Sequence, residues 1–250
     1  MPTPWKDRWS TIVKRIRIVH SADHEAELLG DLASGSGPRI VAFVNAHAMN
    51  GAVSDTPFFD AIADADVLLR DGSGMAILYR VYGSDPGLNM NGTDFIPALI
   101  STFRGRRAAF WGTREPWNAN ASLRCEQEYG VRVVSVEHGF LDARHYVELA
   151  RTLKPDLIVL GMGMPKQEYV ARELRASAGG APLIVCGGAI LDFLGGKVSR
   201  APGWMRSSHV EWIYRLSREP RRMFRRYIRG NPEFLVRLAA WHRQGSPEDG

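Results

Sequence analysis

Residues 157–192 read LIVLGMGMPKQEYVARELRASAGGAPLIVCGGAILD, and this stretch decides how the rest of the chain is interpreted. Two short apolar runs, Leu157–Leu160 and Leu183–Cys186, flank a segment at 165–176 with the composition of a helix. A continuous apolar run is typical of a strand covered on both faces of a parallel sheet. Glycine follows each run directly, as in a tight turn into a helix. The stretch therefore predicts a strand–helix–strand unit of a parallel sheet.

The same alternation continues on both sides of this unit, from about residue 38 to residue 190. Apolar runs predict four further strands, at Ile40–Val44, Val67–Leu69, Ala108–Trp111 and Val131–Val136. Helices are predicted between them, at Thr56–Ala63, Met75–Tyr82, Asp94–Thr102, Glu115–Tyr129 and Ala143–Leu153. Upstream, a strand is predicted at Thr11–Val19 and a helix from Ser21. The chain is therefore expected to be an α/β protein with a Rossmann-like, mainly parallel sheet flanked by helices.

Composition excludes several classes of protein. The chain has 250 residues, 45% of them apolar and 24% charged, which is the balance of a globular protein. It contains no run of about 18 apolar residues, so no membrane-spanning helix is expected, and its first residues lack the apolar core of a signal peptide. Two cysteines, Cys125 and Cys186, are expected to be small buried side chains in a reducing compartment. We therefore expect a cytoplasmic protein.

Positive charge is concentrated near the carboxyl end. The formal net charge is +5, but residues 200–229 hold nine arginines against two glutamates, which leaves −2 for the rest of the chain. Arginine binds phosphate through paired hydrogen bonds, so this segment is expected to face nucleic acid, an anionic lipid surface or a pyrophosphate. The alternative is an exposed helix face whose apolar stripe packs on the rest of the chain. Residues 1–199 are predicted to form one α/β domain. Residues 200–250 are predicted to form an arginine-rich, helical, membrane-docking appendage.

The residues just after the strands are the candidates for ligand binding, because ligands of open parallel sheets lie beyond the carboxyl ends of the strands. Glycines there let backbone N–H groups approach a phosphate, and the next helix N-terminus adds a positive dipole end. In GMGMPKQE, at 161–168, Lys166 replaces the third glycine of a dinucleotide fingerprint. A nucleotide site is still predicted, with candidate residues Gly112, Gly161, Gly163, Pro165, Lys166, Gln167, Glu168, Gly187 and Gly188.

Asp71 lies in a glycine-rich turn, RDGSG, directly after a predicted strand. A carboxylate at this place can act as a general base or can cap the following helix, and the sequence leaves both roles open. Asp64 and Asp66 form an Asp-x-Asp pair of the kind that holds a divalent metal, but they precede the strand, which favours an exposed helix end. The sequence has no cluster with zinc spacing, and no metal is expected.

Six segments, taken in order, resemble the WecG/TagA/CpsF glycosyltransferase family, which is glycosyltransferase family 26. They extend from about residue 40 to residue 230, most of the chain. The form NGTDF at 91–95 resembles the GumM-like branch of that family. The segments are FVNAHAMN at 43–50, LLRDGSGMAI at 68–77, NMNGTDFIP at 89–97, GMGMPKQE at 161–168, CGGAILDFLGGKVSRAP at 186–202 and EWIYRLSREPRRMFRRY at 211–227.

The resemblance implies an inverting enzyme of bacterial polysaccharide synthesis, with Asp71 as its catalytic base. Such an enzyme moves a sugar from a UDP-sugar to a sugar on undecaprenyl diphosphate. It needs no cofactor and no obligatory metal, and it docks on the inner face of the plasma membrane. Besides the glycine turns, the resemblance implies substrate-binding roles for Asn45, Gly72, Asn91, Gly92, Asp94, Asp192 and Arg200. It implies membrane or diphosphate binding by Arg215, Arg218, Arg222 and Arg225.

Two positions depart from the family pattern. Many members have Thr-Pro-Asn where this chain has Phe43-Val44-Asn45, and many have Ala-Asp-Gly where it has Arg70-Asp71-Gly72. Two other functions stay as alternatives: a Rossmann-like, nucleotide-dependent oxidoreductase, and a non-enzymatic nucleic-acid-binding protein that uses the basic segment. We favour the glycosyltransferase. On this interpretation nucleic acid is not a partner, and the protein can be a monomer or a homo-oligomer.

Overall fold

The computed structural model describes residues 5–177, 180, 182–199, 205, 214, 217 and 224–242. Its centre is a seven-stranded sheet of order β1-β3-β2-β7-β6-β4-β5, in which every neighbouring pair is parallel. The strands are β1 (Ile16–Arg17), β2 (Arg39–Val44), β3 (Val67–Arg70), β4 (Arg107–Gly112), β5 (Arg132–His138), β6 (Leu157–Leu160) and β7 (Leu183–Cys186). The predicted α/β class with a parallel sheet is confirmed.

Helices cover both faces of the sheet. They are α1 (Trp5–Arg15), α2 (Ala22–Ser34), α3 (Ala46–Ser54), α4 (Thr56–Ala63), α5 (Ser73–Val81), α6 (Gly92–Ser101), α7 (Trp117–Arg124), α8 (Ala143–Leu153), α9 (Lys166–Ser177), α10 (Ile190–Leu194) and α11 (Gly230–His242). A π-helical turn at Cys125–Tyr129 follows α7, and another at Phe224–Arg229 precedes α11.

The two faces hold two separate hydrophobic cores. Strand residues alternate between them, so that Ile40 and Ala42 point to one core and Val41 and Phe43 to the other. Helices α1, α3, α4, α5, α8, α9 and α11 pack on the first face, and α2, α6, α7 and α10 on the second. Because both faces are covered, the central strands are buried along their length, which explains their continuous apolar runs.

The strand predicted at Thr11–Val19 is wrong. The structure has helix α1 as far as Arg15, and only Ile16–Arg17 pair with β3. Trp9 and Ile12 are three positions apart and both fully buried, so one helical face provides the contact that a strand was expected to make. The β-branched residues of TIVKRIRIV favoured a strand locally, and packing on the first core overrides that preference.

Helix α11 belongs to the α/β body. Phe234, Leu238 and Trp241 are buried in the first core, and Trp9 stacks on Phe234 at 5.3 Å between ring centroids. Helix α11, which lies within the appendage predicted at 200–250, thus packs on the α/β body, and the domain boundary at residue 200 stays a prediction. Most of residues 200–223, with the arginine stripe, lie outside the described residues.

The two cysteines are buried and free, as predicted. Burial raises the pKa of the Cys125 thiol to about 12 and that of Cys186 well above its usual value. Both thiols therefore stay protonated and behave as small apolar side chains.

Candidate active site

A cleft of about 1100 Å³ opens at the carboxyl edge of the sheet. The ends of β2, β3, β4, β6 and β7 form its floor, as expected for an open parallel sheet. Helix α11 and the turn before it contribute part of the rim, through Arg229, Asn231, Glu233 and Arg237. The cleft therefore depends on a segment that lies about 180 residues after β2 in the chain.

Asp71 and Asn45 meet at the ends of the adjacent strands β3 and β2. The Asn45 side chain begins α3, with its Oδ1 accepting hydrogen bonds from the backbone N–H groups of His47 and Ala48. The same side chain donates through Nδ2 to Asp71 Oδ2 at 3.2 Å. Asn45 is thereby fixed by its capping bonds, and it fixes the Asp71 carboxylate against the cleft.

Asp71 does not cap helix α5. The capping position is taken by Gly72, which has no side chain to offer and adopts φ +85°, a conformation that favours glycine. The Asp71 side chain lines the cleft and is half-buried. The helix-cap alternative is therefore wrong, and the carboxylate is placed where a general base could act.

Two asparagines extend this side of the cleft. Asn89 accepts the Gly72 N–H through Oδ1 at 2.7 Å, and Asn91 begins helix α6. Asn91 also donates to the Asp94 carboxylate at 2.8 Å. Asn91 and Gly92 line the cleft, whereas Asp94 is exposed and lies outside the lining. Asp94 thus orients Asn91, and direct contact of Asp94 with a sugar stays a prediction.

Gly112 and Gly161 lie side by side on the floor, at the ends of β4 and β6. A methyl group on Gly112 would lie 2.7 Å from backbone atoms of Gly161, and one on Gly161 would lie 2.7 Å from the Leu191 side chain. Only glycine therefore allows these two strand ends and helix α10 to pack together.

Gln167 connects the two glycine turns. Its Oε1 accepts the N–H of Gly163 at 3.1 Å and of Gly188 at 2.8 Å, and its Nε2 donates to Glu168 Oε1 at 2.8 Å. These two amides were expected to face a phosphate, but they are occupied by Gln167. Gln167 lines the cleft and is fully buried.

Glu168 lies beneath the turns and does not line the cleft. It is 2% exposed, and its Oε2 has no hydrogen-bond partner among the described residues. Burial raises the pKa of Glu168 to about 7. The contact of Glu168 with a nucleotide stays a prediction, whereas its hydrogen bond to Gln167 is present in the structure.

Pro165 and Lys166 also lie outside the cleft lining. Pro165 precedes α9, and Lys166 Nζ donates to the Leu141 carbonyl at 2.8 Å. The predicted role of Lys166 in holding a phosphate would require it to leave this bond.

Sequence analysis missed several cleft residues. Lys197 Nζ donates to Asp192 Oδ1 at 2.9 Å and approaches Thr113 Oγ1 at 3.4 Å, so the predicted Asp192 has a cationic partner. Asn50 on α3 donates to the Gly230 carbonyl at 2.7 Å and accepts from Arg237 at 3.0 Å. Lys197 lies within a segment that carries the resemblance. The contact of Asn50 with α11 has no local sequence signal.

Several predicted residues cannot be placed. Arg200, Arg215, Arg218 and Arg222 lie outside the described residues, as does the side chain of Arg225. Within the part of the chain that is described, no three His, Cys, Asp or Glu side chains cluster as metal ligands. Asp64 ends α4 and pairs with Arg175, and Asp66 accepts the Ile40 N–H, so the Asp-x-Asp pair has structural partners.

Comparison with known proteins identifies the family. Residues 13–247 match the glycosyl transferase WecG/TagA/CpsF family. One relative is the N-acetylglucosaminyldiphosphoundecaprenol N-acetyl-beta-D-mannosaminyltransferase of Bacillus subtilis (strain 168), 26% identical over 186 residues that cover 72% of each chain. The enzyme of the same name from Staphylococcus aureus (strain MW2) is 24% identical over 208 residues, 82% of this chain and 81% of the relative. Since the family match spans nearly the whole chain, this protein belongs to the WecG/TagA/CpsF family and is a glycosyltransferase.

Proposed function

We propose that this glycosyltransferase moves a sugar from a UDP-sugar to a sugar carried on undecaprenyl diphosphate, with inversion at the anomeric carbon. The observation that carries the proposal is Asp71, which Asn45 holds against a cleft whose opposite side is built from glycine turns. The relatives' names support the acceptor, since they specify a sugar on diphosphoundecaprenol. The product enters the synthesis of a bacterial surface polysaccharide.

Asp71 acts as the general base. The acceptor hydroxyl attacks the anomeric carbon from the face opposite UDP, and its proton passes to the Asp71 carboxylate. The new glycosidic C–O bond forms as the bond to the UDP oxygen breaks, and UDP leaves with the electron pair. An α-linked donor therefore gives a β-linked product. General base catalysis of this kind is worth about 10²–10⁴-fold in rate.

The charge that develops on UDP needs cationic partners. Lys197, Arg229 and Arg237 line the cleft, where Lys197 pairs with Asp192 and Arg237 with Glu233. Because Gln167 occupies the N–H groups of Gly163 and Gly188, these cations replace the turn amides as the expected stabilisers. We propose that the reaction uses them with no metal and no cofactor.

The acceptor's lipid cannot leave the bilayer, so we propose that the enzyme docks on the inner face of the plasma membrane. Nine arginines at 200–229 support this, and so do the exposed apolar residues Phe224, Ile228, Leu235 and Val236 beside them in the chain. None of the helices that the structure describes is long and apolar enough to cross a bilayer. Docking on an anionic surface is worth about 1 kcal/mol for each basic residue.

The test is a donor panel with the purified full chain. UDP-glucose, UDP-N-acetylmannosamine and UDP-N-acetylmannosaminuronate are each offered with a synthetic lipid-diphosphate-sugar acceptor, with and without EDTA. One donor should be transferred with EDTA present, and Asp71→Asn should lower its transfer about 10²–10⁴-fold without weakening UDP binding. Asp60→Asn, at an exposed position on α4, is the matched control.

Transfer of none of these sugars, or turnover near normal in Asp71→Asn, would contradict the proposal. The membrane arm uses vesicles with and without anionic lipid. Replacing Arg215, Arg218, Arg222 and Arg225 by glutamine should lower binding to anionic vesicles at least about 100-fold. Deletion of the carboxyl end is unsuitable, because it would remove the buried residues of α11.

A further inference from the structure

Arg70 is a buried cation whose hydrogen bonds to described residues all go to backbone carbonyls. It ends strand β3, next to Asp71, and is 3% exposed. Its Nε donates to the Pro86 carbonyl at 2.7 Å, and its two terminal nitrogens donate to Gly72 and Gly87 at 3.1 Å each. Burial lowers the pKa of Arg70, and the adjacent Asp71 opposes that shift.

These three bonds join two separate parts of the cleft wall. Gly72 belongs to the turn that carries Asp71, whereas Pro86 and Gly87 belong to the connection between α5 and α6. That connection, residues 82–91, has no helix or strand of its own. It carries Asn89 and Asn91 into the cleft, and Asn89 returns to the same turn through the Gly72 N–H.

The geometry calls for arginine. The guanidinium is a planar fork with five N–H donors, so it can reach three carbonyls in three directions at once. A lysine ammonium is a point charge that cannot span all three, and alanine would leave them without a partner. Arg70 itself is outside the cleft lining, so its bonds act on the shape of the wall.

We propose that Arg70 is a positioning residue that holds the connection at 82–91 against the Asp71 turn and so fixes Asn89 and Asn91 relative to the base. The inference rests on the proposed function, because it assigns this wall to the acceptor sugar.

The test compares Arg70→Ala and Arg70→Lys with Arg107→Ala. Arg107 is the matched control, because its guanidinium donates twice to the Leu153 carbonyl at the opposite edge of the sheet. Backbone hydrogen exchange, UDP affinity, and kcat and KM for the acceptor are measured on the full chain.

In Arg70→Ala, amides of residues 84–91 should exchange at least about tenfold faster, since a loss of about 1.4 kcal/mol of local stability is tenfold. The acceptor KM should rise by a similar factor while UDP affinity stays within about twofold. Arg70→Lys should raise the exchange rate and the acceptor KM by smaller factors. It is the variant to use if Arg70→Ala does not fold. Arg107→Ala should leave exchange at 84–91 and the acceptor KM unchanged.

Unchanged exchange at 84–91 in both Arg70 variants would overturn the inference, and so would an equal acceptor defect in Arg107→Ala. Hydrogen exchange and UDP binding can be measured without any sugar transfer. A failure of the proposed function would therefore show as absent transfer by the unmodified chain, independently of these results.

Discussion

The two sides of the cleft are built by different means. The side-chain half presents Asn45 and Asp71 at the ends of β2 and β3, and Asn89 and Asn91 from the connection between α5 and α6. At the ends of β4, β6 and β7, the glycine half presents the backbone of Gly112, Gly161, Gly163, Gly187 and Gly188. Under the proposed function the two sides would have different tasks, because proton transfer needs a fixed carboxylate, whereas a nucleotide needs space close to the backbone.

The two halves are also stabilised differently. In the side-chain half, each group is held by a separate hydrogen bond, such as those of Asn45 to Asp71 and Asn89 to Gly72. In the glycine half, two turns share one acceptor, Gln167, whose amide is oriented by Glu168. The glycine half therefore depends on a buried titratable group, and pH should affect it first.

The largest expected effect is that of Glu168→Gln on stability. Because the pKa of Glu168 is raised from 4.5 to about 7, the folded protein keeps this proton while the unfolded chain releases it. The stability contributed by the group is full below about pH 4.5 and is lost as pH rises through about 7. Glutamine can still accept the Gln167 bond but does not ionise.

Above pH 7 the Glu168→Gln variant should therefore exceed the unmodified protein in free energy of unfolding by up to about 3 kcal/mol, at about 1.4 kcal/mol per pKa unit. The difference should disappear near pH 4.5. Urea unfolding at several pH values measures it, with Glu148→Gln on the exposed side of α8 as the control. A difference that does not vary with pH would contradict the assignment.

The glycine turns were easier to predict from sequence than the long-range contacts around the cleft. A glycine after an apolar run is a local signal, and Leu157–Leu160 and Leu183–Cys186 were predicted with the bounds that the structure has. The bond between Arg237 and Asn50 joins residues 187 positions apart, so no local pattern indicates it. Likewise, the sequence placed Gln167 at a helix start, but only the fold shows that it joins two turns.

The sequence predicted the individual residues of the side-chain half but not how they are arranged. Asp71 had two roles open in the sequence, and the choice depended on Gly72 taking the capping position of α5. Helix α3 was not predicted, although Asn45 begins it, because AHAMNGAVS has a glycine inside and weak periodicity. Side-chain direction is a tertiary property here, since Asn45 must cap α3 and reach across to β3.

A smaller effect is expected from Gly161→Ala, which tests how tightly the glycine half is packed. The new methyl group would lie 2.7 Å from Leu191 Cγ, so the strand end and α10 must separate. Overpacking of this kind costs about 1–3 kcal/mol, and UDP affinity should fall with it. Chemical unfolding and UDP titration measure both.

Gly30→Ala on α2 is the control for that substitution, because its methyl group meets nothing within 4 Å. Removing a helix glycine there should stabilise the protein by about 0.5–1 kcal/mol with UDP binding unchanged. If Gly161→Ala were as stable as the unmodified chain and bound UDP equally well, the floor would not need glycine.

The smallest effect is expected from Asn45→Ser, which separates the two duties of one side chain. Serine keeps the capping of α3, but its hydroxyl is one bond shorter than the Asn45 amide and falls short of Asp71, so stability should hardly change. The lost bond should lower kcat about tenfold, because a hydrogen bond to a charged group is worth about 1.5–3 kcal/mol and water replaces part of it. Steady-state kinetics and thermal unfolding on the same sample measure the two duties.

Asn45→Asp sharpens the same comparison. It also keeps the cap, but it puts a second carboxylate at the position of a donor that now lies 3.2 Å from Asp71 Oδ2. Two carboxylates at that separation share a proton, so the acid limb of the pH–rate profile should move to higher pH. If the pH–rate profile of Asn45→Asp were unchanged and Asn45→Ser turned over normally, Asn45 would act only as the cap of α3. Its hydrogen bond to Asp71 would then have no part in orienting the proposed base.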